Sequence, residues 1–269
     1  MAKKSAEKKK ILLLVMDGWG IAPEGKGNCI SLAKKPNFDY YSKNFPICRL
    51  GAAGNYAGLP DGSQGNSEVG HLHLGAGRIV WQPYELINRT IKDGSFFKNK
   101  AFLDAVKNCR KHNTALHLMG LCSDEGVHAT TNHLLALLDL AKKENFTNVF
   151  VHFFADGRDV PEKSAMKYAE MIESKFRETG FGKIASVAGR YYAMDRDNNW
   201  ERTRAAYDLL TQGKGFKAGN AAEAINAAYG RGDKTDYYIQ PTAIVDEKEK
   251  RMYSGPAKVF SYLLKNKKG

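Results

Sequence analysis

The chain has 269 residues, 43% of them hydrophobic, which is enough to bury one large core or two smaller ones. It contains no run of about eighteen apolar residues, so we expect no membrane span and no membrane partner. The formal net charge is +12, but residues 1–10 and 265–268 carry +7 of that total. The modest remainder suits an anionic small molecule, and we expect solvated tails rather than a nucleic-acid partner.

The beginning of the chain and its cysteines indicate a cytoplasmic protein. Residues 11–16 are apolar but too few for the core of a signal peptide, which spans about 7–15 residues. We interpret residues 1–10 as a basic tail that leads into a buried strand over residues 11–17. The cysteines show neither close pairing nor metal-ligand spacing, and we expect reduced, buried thiols at Cys29, Cys48, Cys109 and Cys122.

A Gly-rich stretch over residues 51–77 predicts turns and close backbone approaches. Beyond about residue 82, segments of strand character alternate with segments of helical period. The predicted strands are 114–120, 148–154 and 183–189, and the predicted helices are 132–143, 162–178 and 198–210. This alternation predicts an α/β fold with a parallel sheet covered on both faces.

Ligands of such sheets bind beyond the carboxyl ends of the strands. Polar residues follow each predicted strand in turn: Asp124 and His128, then Asp156, Arg158 and Asp159, then Arg190, Asp195 and Arg196. Because an arginine fork pairs well with phosphate or carboxylate, three arginines on one rim predict a small substrate with several anionic groups. A surface ion pair in a turn is the alternative for Arg158 and Asp159, and helix capping the alternative for His128.

Two residues of the first part of the chain are further candidates. Asp17 closes the first predicted strand, where a carboxylate can bind a divalent metal or simply form a turn. Ser67 stands between Gly65 and Gly70, one residue too far apart for the G-x-S-x-G nucleophile elbow. Residue chemistry alone leaves the role of Ser67 open.

Five segments, in order, resemble the cofactor-independent (2,3-bisphosphoglycerate-independent) phosphoglycerate mutase family. They are LVMDGWGI, GNSEVGHLHLGAGR, SDEGVHATTNHL, DGRDVP and AGRYYAMDRD. They resemble the metal-ligand motif, the segment around the phosphoserine nucleophile, the histidine loop and the two arginine-bearing substrate loops of that family. The likeness extends from about residue 11 to about residue 246.

The resemblance implies a metal-dependent isomerase that interconverts 3-phosphoglycerate and 2-phosphoglycerate in glycolysis and gluconeogenesis. Asp17 and Ser67 would bind Mn2+ or Mg2+, and Ser67 would carry the phosphoryl group transiently. Asp159 would also transfer protons. The residues that would hold and reorient the substrate are His128, Arg158, Asp159, Arg190 and Arg196.

The resemblance also implies a domain organisation. Residues 1–81 would form the first part of an incomplete alkaline-phosphatase-like domain, and residues 82–269 an inserted α/β transferase domain with a mainly parallel sheet. The C-terminal half of the family, which supplies further metal ligands, would be missing. The chain would then be a fragment, one half of a split enzyme with a separate C-terminal half as its partner, or a non-catalytic phosphoglycerate-binding module.

Two other classes of function remain as alternatives. A serine hydrolase would use Ser67 with His128 and either Asp156 or Asp159, and its activity would not depend on Mn2+. A nucleic-acid-binding protein would use the charged tails, and its affinity would fall steeply with salt.

Overall fold

The computed structural model describes residues 10–248 and residue 250. Of the predicted basic tails, residues 1–10 and 265–268, all but residue 10 lie outside this part of the chain. The described residues form two compact units, of which the first ends at Leu86 and the second begins at Ile87. The assignment of residues 1–81 and 82–269 to two named domains stays a prediction. No helix in the described part is both long and apolar enough to cross a membrane.

The first unit consists of short helices joined by irregular chain. Asn28 begins the first of them, because its side-chain oxygen accepts hydrogen bonds from the main-chain N–H groups of Ile30 and Ser31. A 3-10 helix lies at Gly54–Ala57. The α-helices are α1 (Cys29–Leu32), α2 (Pro36–Asn44), α3 (Ser67–Ala76) and α4 (Pro83–Asp93), the last of which continues into the second unit.

The prediction of a buried strand over residues 11–17 is wrong. The backbone there is irregular, and Ile11 and Leu12 are 92% and 90% exposed. A strand needs a neighbour to pair its N–H and C=O groups, and the described residues of the first unit contain no other strand. The expectation of buried cysteines is wrong for Cys29 and Cys48, which are exposed on this unit.

The second unit is built around a five-stranded sheet in the order β1-β2-β3-β5-β4. Parallel pairing joins β1 to β2, β2 to β3 and β4 to β5, whereas β5 runs antiparallel to β3. The strands are β1 (Leu116–Leu121), β2 (Val149–Ala155), β3 (Lys183–Gly189), β4 (Phe216–Ala218) and β5 (Thr242–Ile244). The predicted α/β fold with a mainly parallel sheet is therefore confirmed, although β4 and β5 were not predicted.

Helices connect these strands, and three of them correspond to the predicted helices at 132–143, 162–178 and 198–210. Gly180 ends the second of these three in a left-handed conformation with φ of 81°, and its N–H donates to the oxygen of Phe176. Short 3-10 helices lie at Ser95–Lys98 and Asp236–Tyr238. The α-helices are α5 (Lys100–Lys111), α6 (Thr131–Lys143), α7 (Ala165–Thr179), α8 (Arg190–Ala193), α9 (Trp200–Gln212) and α10 (Ala221–Gly230).

Apolar side chains cover both faces of the sheet. Val187 of β3 belongs to the larger core, which includes residues of α5, α6, α7 and α10 together with the buried thiols of Cys109 and Cys122. Ala188 belongs to a smaller core with Leu209 of α9, because successive residues of a strand point to opposite faces. Because β1, β2 and β3 are parallel, their carboxyl ends lie at one edge of the sheet, and helices pack on both of its faces.

A row of buried polar side chains joins these three strands. Nδ1 of His117 lies 3.0 Å from Nε2 of His152, and Nδ1 of His152 lies 2.8 Å from Oγ of Ser186. Burial lowers the pKa of His117 to about 4 and, together with the charge of its neighbour, that of His152 to about 3. Both rings are therefore neutral near neutral pH, and a neutral ring supplies the one donor and one acceptor that such a row requires.

Candidate active site

A cavity of about 270 Å³ lies beyond the carboxyl ends of β1, β2 and β3. Four of the residues predicted for the site line it, namely His128, Arg158, Arg190 and Arg196. Its volume suits a molecule smaller than a drug-sized ligand. The structure thus brings together residues from three separate loops of the sequence.

Asp156 organises the loop that follows β2. Its Oδ1 accepts hydrogen bonds from the main-chain N–H groups of Arg158, at 3.2 Å, and Asp159, at 3.0 Å. Gly157, which separates Asp156 from Arg158, has φ of +61°, and a Cβ there would lie 2.6 Å from the main-chain nitrogen of Tyr237. The hydrogen bonds to Asp156 fix the backbone of this turn, and the close approach of the segment at Tyr237 leaves no room for a side chain at residue 157.

Arg190 is buried at the start of α8 and is bound by two carboxylates. Its Nη1 donates to Oδ1 of Asp156 and to Oδ2 of Asp159, both at 2.6 Å. Burial by itself lowers the pKa of Arg190, but the bonds to Asp159 and Asp156 outweigh it and raise the pKa above its ordinary value. Burial likewise raises the pKa of Asp156, yet the N–H of Asp159 and the guanidinium of Arg190 hold it below its usual range. Arg190 and Asp156 are consequently both charged at neutral pH.

Asp159 lies between Arg190 and His128. Its Oδ2, which accepts from Arg190, is 3.8 Å from Nε2 of His128, and its side chain is 18% exposed. Carboxylates and imidazoles are both groups that act as general acids or bases when they lie within reach of a bound ligand.

Arg158 and Arg196 differ from Arg190 in that neither forms an ion pair with a described carboxylate. Both are exposed cavity residues, and within residues 10–248 neither guanidinium has an ion-pair partner. Asp195 and Asp197 also line the cavity, but neither forms an ion pair with these two guanidinium groups, which are therefore available to the anionic groups of a ligand.

Arg202 is a cavity residue that the sequence analysis did not identify. It lies in the first turn of α9, with its guanidinium carbon 3.8 Å from the centroid of the Tyr191 ring and Nη1 3.6 Å from Oδ1 of Asp195. No local motif distinguishes it from the other arginines of the helix. Its position just after the loop that begins at Arg190 was the one signal for it.

In the first unit, the structure brings Asp17 and Ser67 together. Oγ of Ser67 lies 2.8 and 3.0 Å from the two carboxylate oxygens of Asp17, and both residues are exposed. Ser67 begins α3, which Asn66 caps by accepting a hydrogen bond from the N–H of Val69. Gly65 cannot be replaced here without movement, because a Cβ would lie 1.7 Å from the main-chain oxygen of Ala52.

Asp17 and Ser67 offer the kind of ligand atom that a hard divalent cation prefers, but two residues are too few to complete its coordination. A carboxylate and a hydroxyl offer the oxygen ligands that Mg2+ and Mn2+ prefer, in octahedral sites of about six ligands. Among the described residues, no group of three or more His, Cys, Asp or Glu side chains could hold a metal ion. The described part of the chain therefore supplies only a portion of such a site.

Comparison with known proteins identifies the family. A family model described as "BPG-independent PGAM N-terminus (iPGM_N)" matches residues 87–261. A relative from Acetivibrio thermocellus is 52% identical over 237 residues, which cover 88% of this chain and 46% of that protein. A relative from Clostridium acetobutylicum is 53% identical over 240 residues, which cover 89% of this chain and 47% of that protein. Both relatives are named 2,3-bisphosphoglycerate-independent phosphoglycerate mutase.

A solved structure gives the same result. The phosphoglycerate mutase of Leishmania mexicana, determined at low cobalt concentration, is 33% identical with a TM-score of 0.68, over 89% of this chain and 45% of that one. The chain spans about half the length of the curated relatives it matches. From its sequence and its fold, the chain belongs to the 2,3-bisphosphoglycerate-independent phosphoglycerate mutase family and corresponds to the N-terminal portion of its members.

Proposed function

We propose that this chain is the phosphoglycerate-binding part of an enzyme that interconverts 3-phosphoglycerate and 2-phosphoglycerate. The observation that carries the proposal is the cavity in which Arg158 and Arg196 have no ion-pair partner among the described residues. The names of the relatives support the same reaction. The reaction belongs to glycolysis and gluconeogenesis, and the cytoplasmic location predicted from the sequence agrees with it.

The substrate suits the charges of the cavity. Phosphoglycerate carries a phosphate and a carboxylate on a three-carbon chain, so it offers one anionic group to each of Arg158 and Arg196. A planar guanidinium can bind either group with two parallel hydrogen bonds. Arg190 has its Nη1 bound to Asp156 and Asp159, which leaves its remaining N–H groups as the donors available to the substrate.

The proposed reaction has two phosphoryl transfers. In the first, the hydroxyl of Ser67 loses its proton and Oγ forms a bond to phosphorus, while the bond from phosphorus to O3 breaks and O3 gains a proton. In the second, the hydroxyl at O2 loses its proton and O2 forms a bond to phosphorus, while the bond from phosphorus to Oγ breaks and Oγ regains a proton. Asp159 is the proposed group that exchanges protons with O3 and O2, and Asp17, whose carboxylate faces the Ser67 hydroxyl, is the proposed group that takes up and returns the proton of Oγ, so both carboxylates regain their starting state at the end of a cycle.

Ser67 is the proposed nucleophile because its hydroxyl faces Asp17. When bound at these two residues, Mn2+ or Mg2+ would neutralise the charge of the transferring group, with its remaining ligands supplied from outside the described residues. A separate C-terminal half is the proposed source of those ligands. The serine-hydrolase alternative, in which His128 would act on Ser67, differs from this proposal in that its activity would not depend on Mn2+.

An assay coupled to enolase, which consumes 2-phosphoglycerate, tests the proposal. The chain is assayed with and without Mn2+, alone and together with the region of the Clostridium acetobutylicum relative that lies beyond the match. We expect Mn2+-dependent turnover in the mixture, loss of turnover in Ser67→Ala and no effect in the control Ser42→Ala. Turnover that survives Ser67→Ala would refute the nucleophile, and binding of 3-phosphoglycerate without turnover in any mixture would favour a binding module.

A further inference from the structure

One buried carboxylate connects the two loops that carry the arginines of the cavity. Oδ1 of Asp156 accepts two main-chain N–H groups of the loop after β2 and also Nη1 of Arg190, which follows β3. The side chain of Asp156 is 1% exposed, and Asp156 is not among the residues that line the cavity. Asp156 therefore contacts the residues that would bind a ligand but would not contact the ligand itself.

We infer that Asp156 is a positioning residue, which fixes the loop of Arg158 and Asp159 relative to Arg190 so that one ligand with two anionic groups can bridge them. This inference rests on the proposed function. The hydrogen-bonding ladder of the sheet reaches neither arginine, because β2 ends at Ala155 and β3 at Gly189. A charge-assisted hydrogen bond in a buried place is stronger and shorter than a neutral one. Two such bonds join these loops, and the one to Asp156 is the more deeply buried of the two.

Charge alone predicts the opposite effect of a substitution. If Asp156 only diminished the positive charge of Arg190, then Asp156→Asn would free that charge and strengthen the binding of an anion. If Asp156 positions the loops, then Asp156→Asn removes the charge-assisted bond, loosens their relative placement and weakens binding. The sign of the change in affinity therefore separates the two explanations.

The test measures binding to the full chain by isothermal titration calorimetry, with 3-phosphoglycerate and with inorganic phosphate. We expect Asp156→Asn to weaken 3-phosphoglycerate binding about tenfold and phosphate binding much less, because phosphate has one anionic group and need not bridge the loops. The control is Asp233→Asn, which makes the same charge change at a side chain that is 8% exposed and accepts hydrogen bonds from Gln240. The thermal unfolding of each variant is recorded beside its affinity.

Three results would overturn the inference. They are tighter binding in Asp156→Asn, an equal loss for both ligands, and an equal loss in Asp233→Asn. If the wild-type chain does not bind 3-phosphoglycerate, the proposed function fails, and amide hydrogen exchange decides the inference alone. In that experiment Asp156→Ala should accelerate exchange of the Arg158 and Asp159 amides in the ligand-free chain, and unchanged rates would contradict the positioning role.

Discussion

Acidification should destabilise the second unit through its two buried histidines. His117 and His152 lie side by side across β1 and β2, with folded-state pKa values of about 4 and about 3. In the unfolded chain a histidine has a pKa of about 6.5. Because the unfolded state binds protons that the folded state does not, stability falls as the pH drops below about 6.5, and the loss ends near the two folded-state pKa values.

The magnitude follows from the interval between the unfolded pKa and the working pH. A pH of about 5 lies about 1.5 units below the pKa of an unfolded histidine, so protonation stabilises each unfolded histidine by about 2 kcal/mol. The folded ring, with its lower pKa, gains almost none of this stabilisation. For the pair, the free energy of unfolding should therefore fall by about 4 kcal/mol between about pH 7.5 and about pH 5.

Urea unfolding followed by circular dichroism at these two pH values measures the effect. The double variant His117→Asn/His152→Gln removes both titrating groups and keeps hydrogen-bonding side chains, and its pH-dependent loss should be about 4 kcal/mol smaller than that of the wild type. His133, whose pKa burial lowers to about 4, remains in both proteins and cancels from the comparison. The control is His112→Gln at an exposed position. Equal pH dependence in wild type and double variant would refute the reasoning.

Three further substitutions, the first with its own glycine control, test the packing near the cavity and the binding of a ligand in it. Gly189→Ala should lower the melting temperature strongly, because its Cβ would lie 2.2 Å from the oxygen of Tyr237, whereas Gly120→Ala meets nothing within 4 Å and should be nearly neutral. Asp236→Ala should cost about 2–4 kcal/mol in urea unfolding, because two N–H groups at the start of α7 lose their acceptor; a loss below about 0.5 kcal/mol would contradict the contact. Arg202→Ala should weaken 3-phosphoglycerate binding about tenfold by calorimetry, and unchanged affinity would exclude it from the site.

The sequence predicted the parts of the fold that have a long hydrophobic period. The strands at 116–121, 149–155 and 183–189 lie within two residues of their predicted positions, because each is followed by a helix with its own apolar stripe. The strands β4 and β5 have three residues each, too few to show any period. Residues 11–17 were misjudged because a short apolar run indicates burial but not the partner that would provide it.

The sequence predicted those residues of the candidate site whose location follows directly from their place in a loop after a strand. Parallel strands place their carboxyl ends at one edge, so the residues that follow them converge whatever their neighbours are. The contact of Arg190 with Asp156 joins residues from different loops, and Asp156 is the buried carboxylate at this place. The sequence does not indicate which of the nearby carboxylates is buried. Arg202 enters the cavity through the placement of α9, which depends on the packing of Leu209 against β3. Such relations are three-dimensional and leave no spacing in the sequence.

The central claim is that the cavity binds phosphoglycerate through Arg158 and Arg196, and calorimetric titration of 3-phosphoglycerate tests it most directly. The double variant Arg158→Ala/Arg196→Ala is compared with Arg177→Ala/Arg204→Ala, which removes the same charge from side chains that are 63% and 78% exposed. We expect the cavity variant to bind at least about 100-fold more weakly than the wild type, and the control variant to bind as the wild type does. Equal affinities in the two double variants would contradict the account.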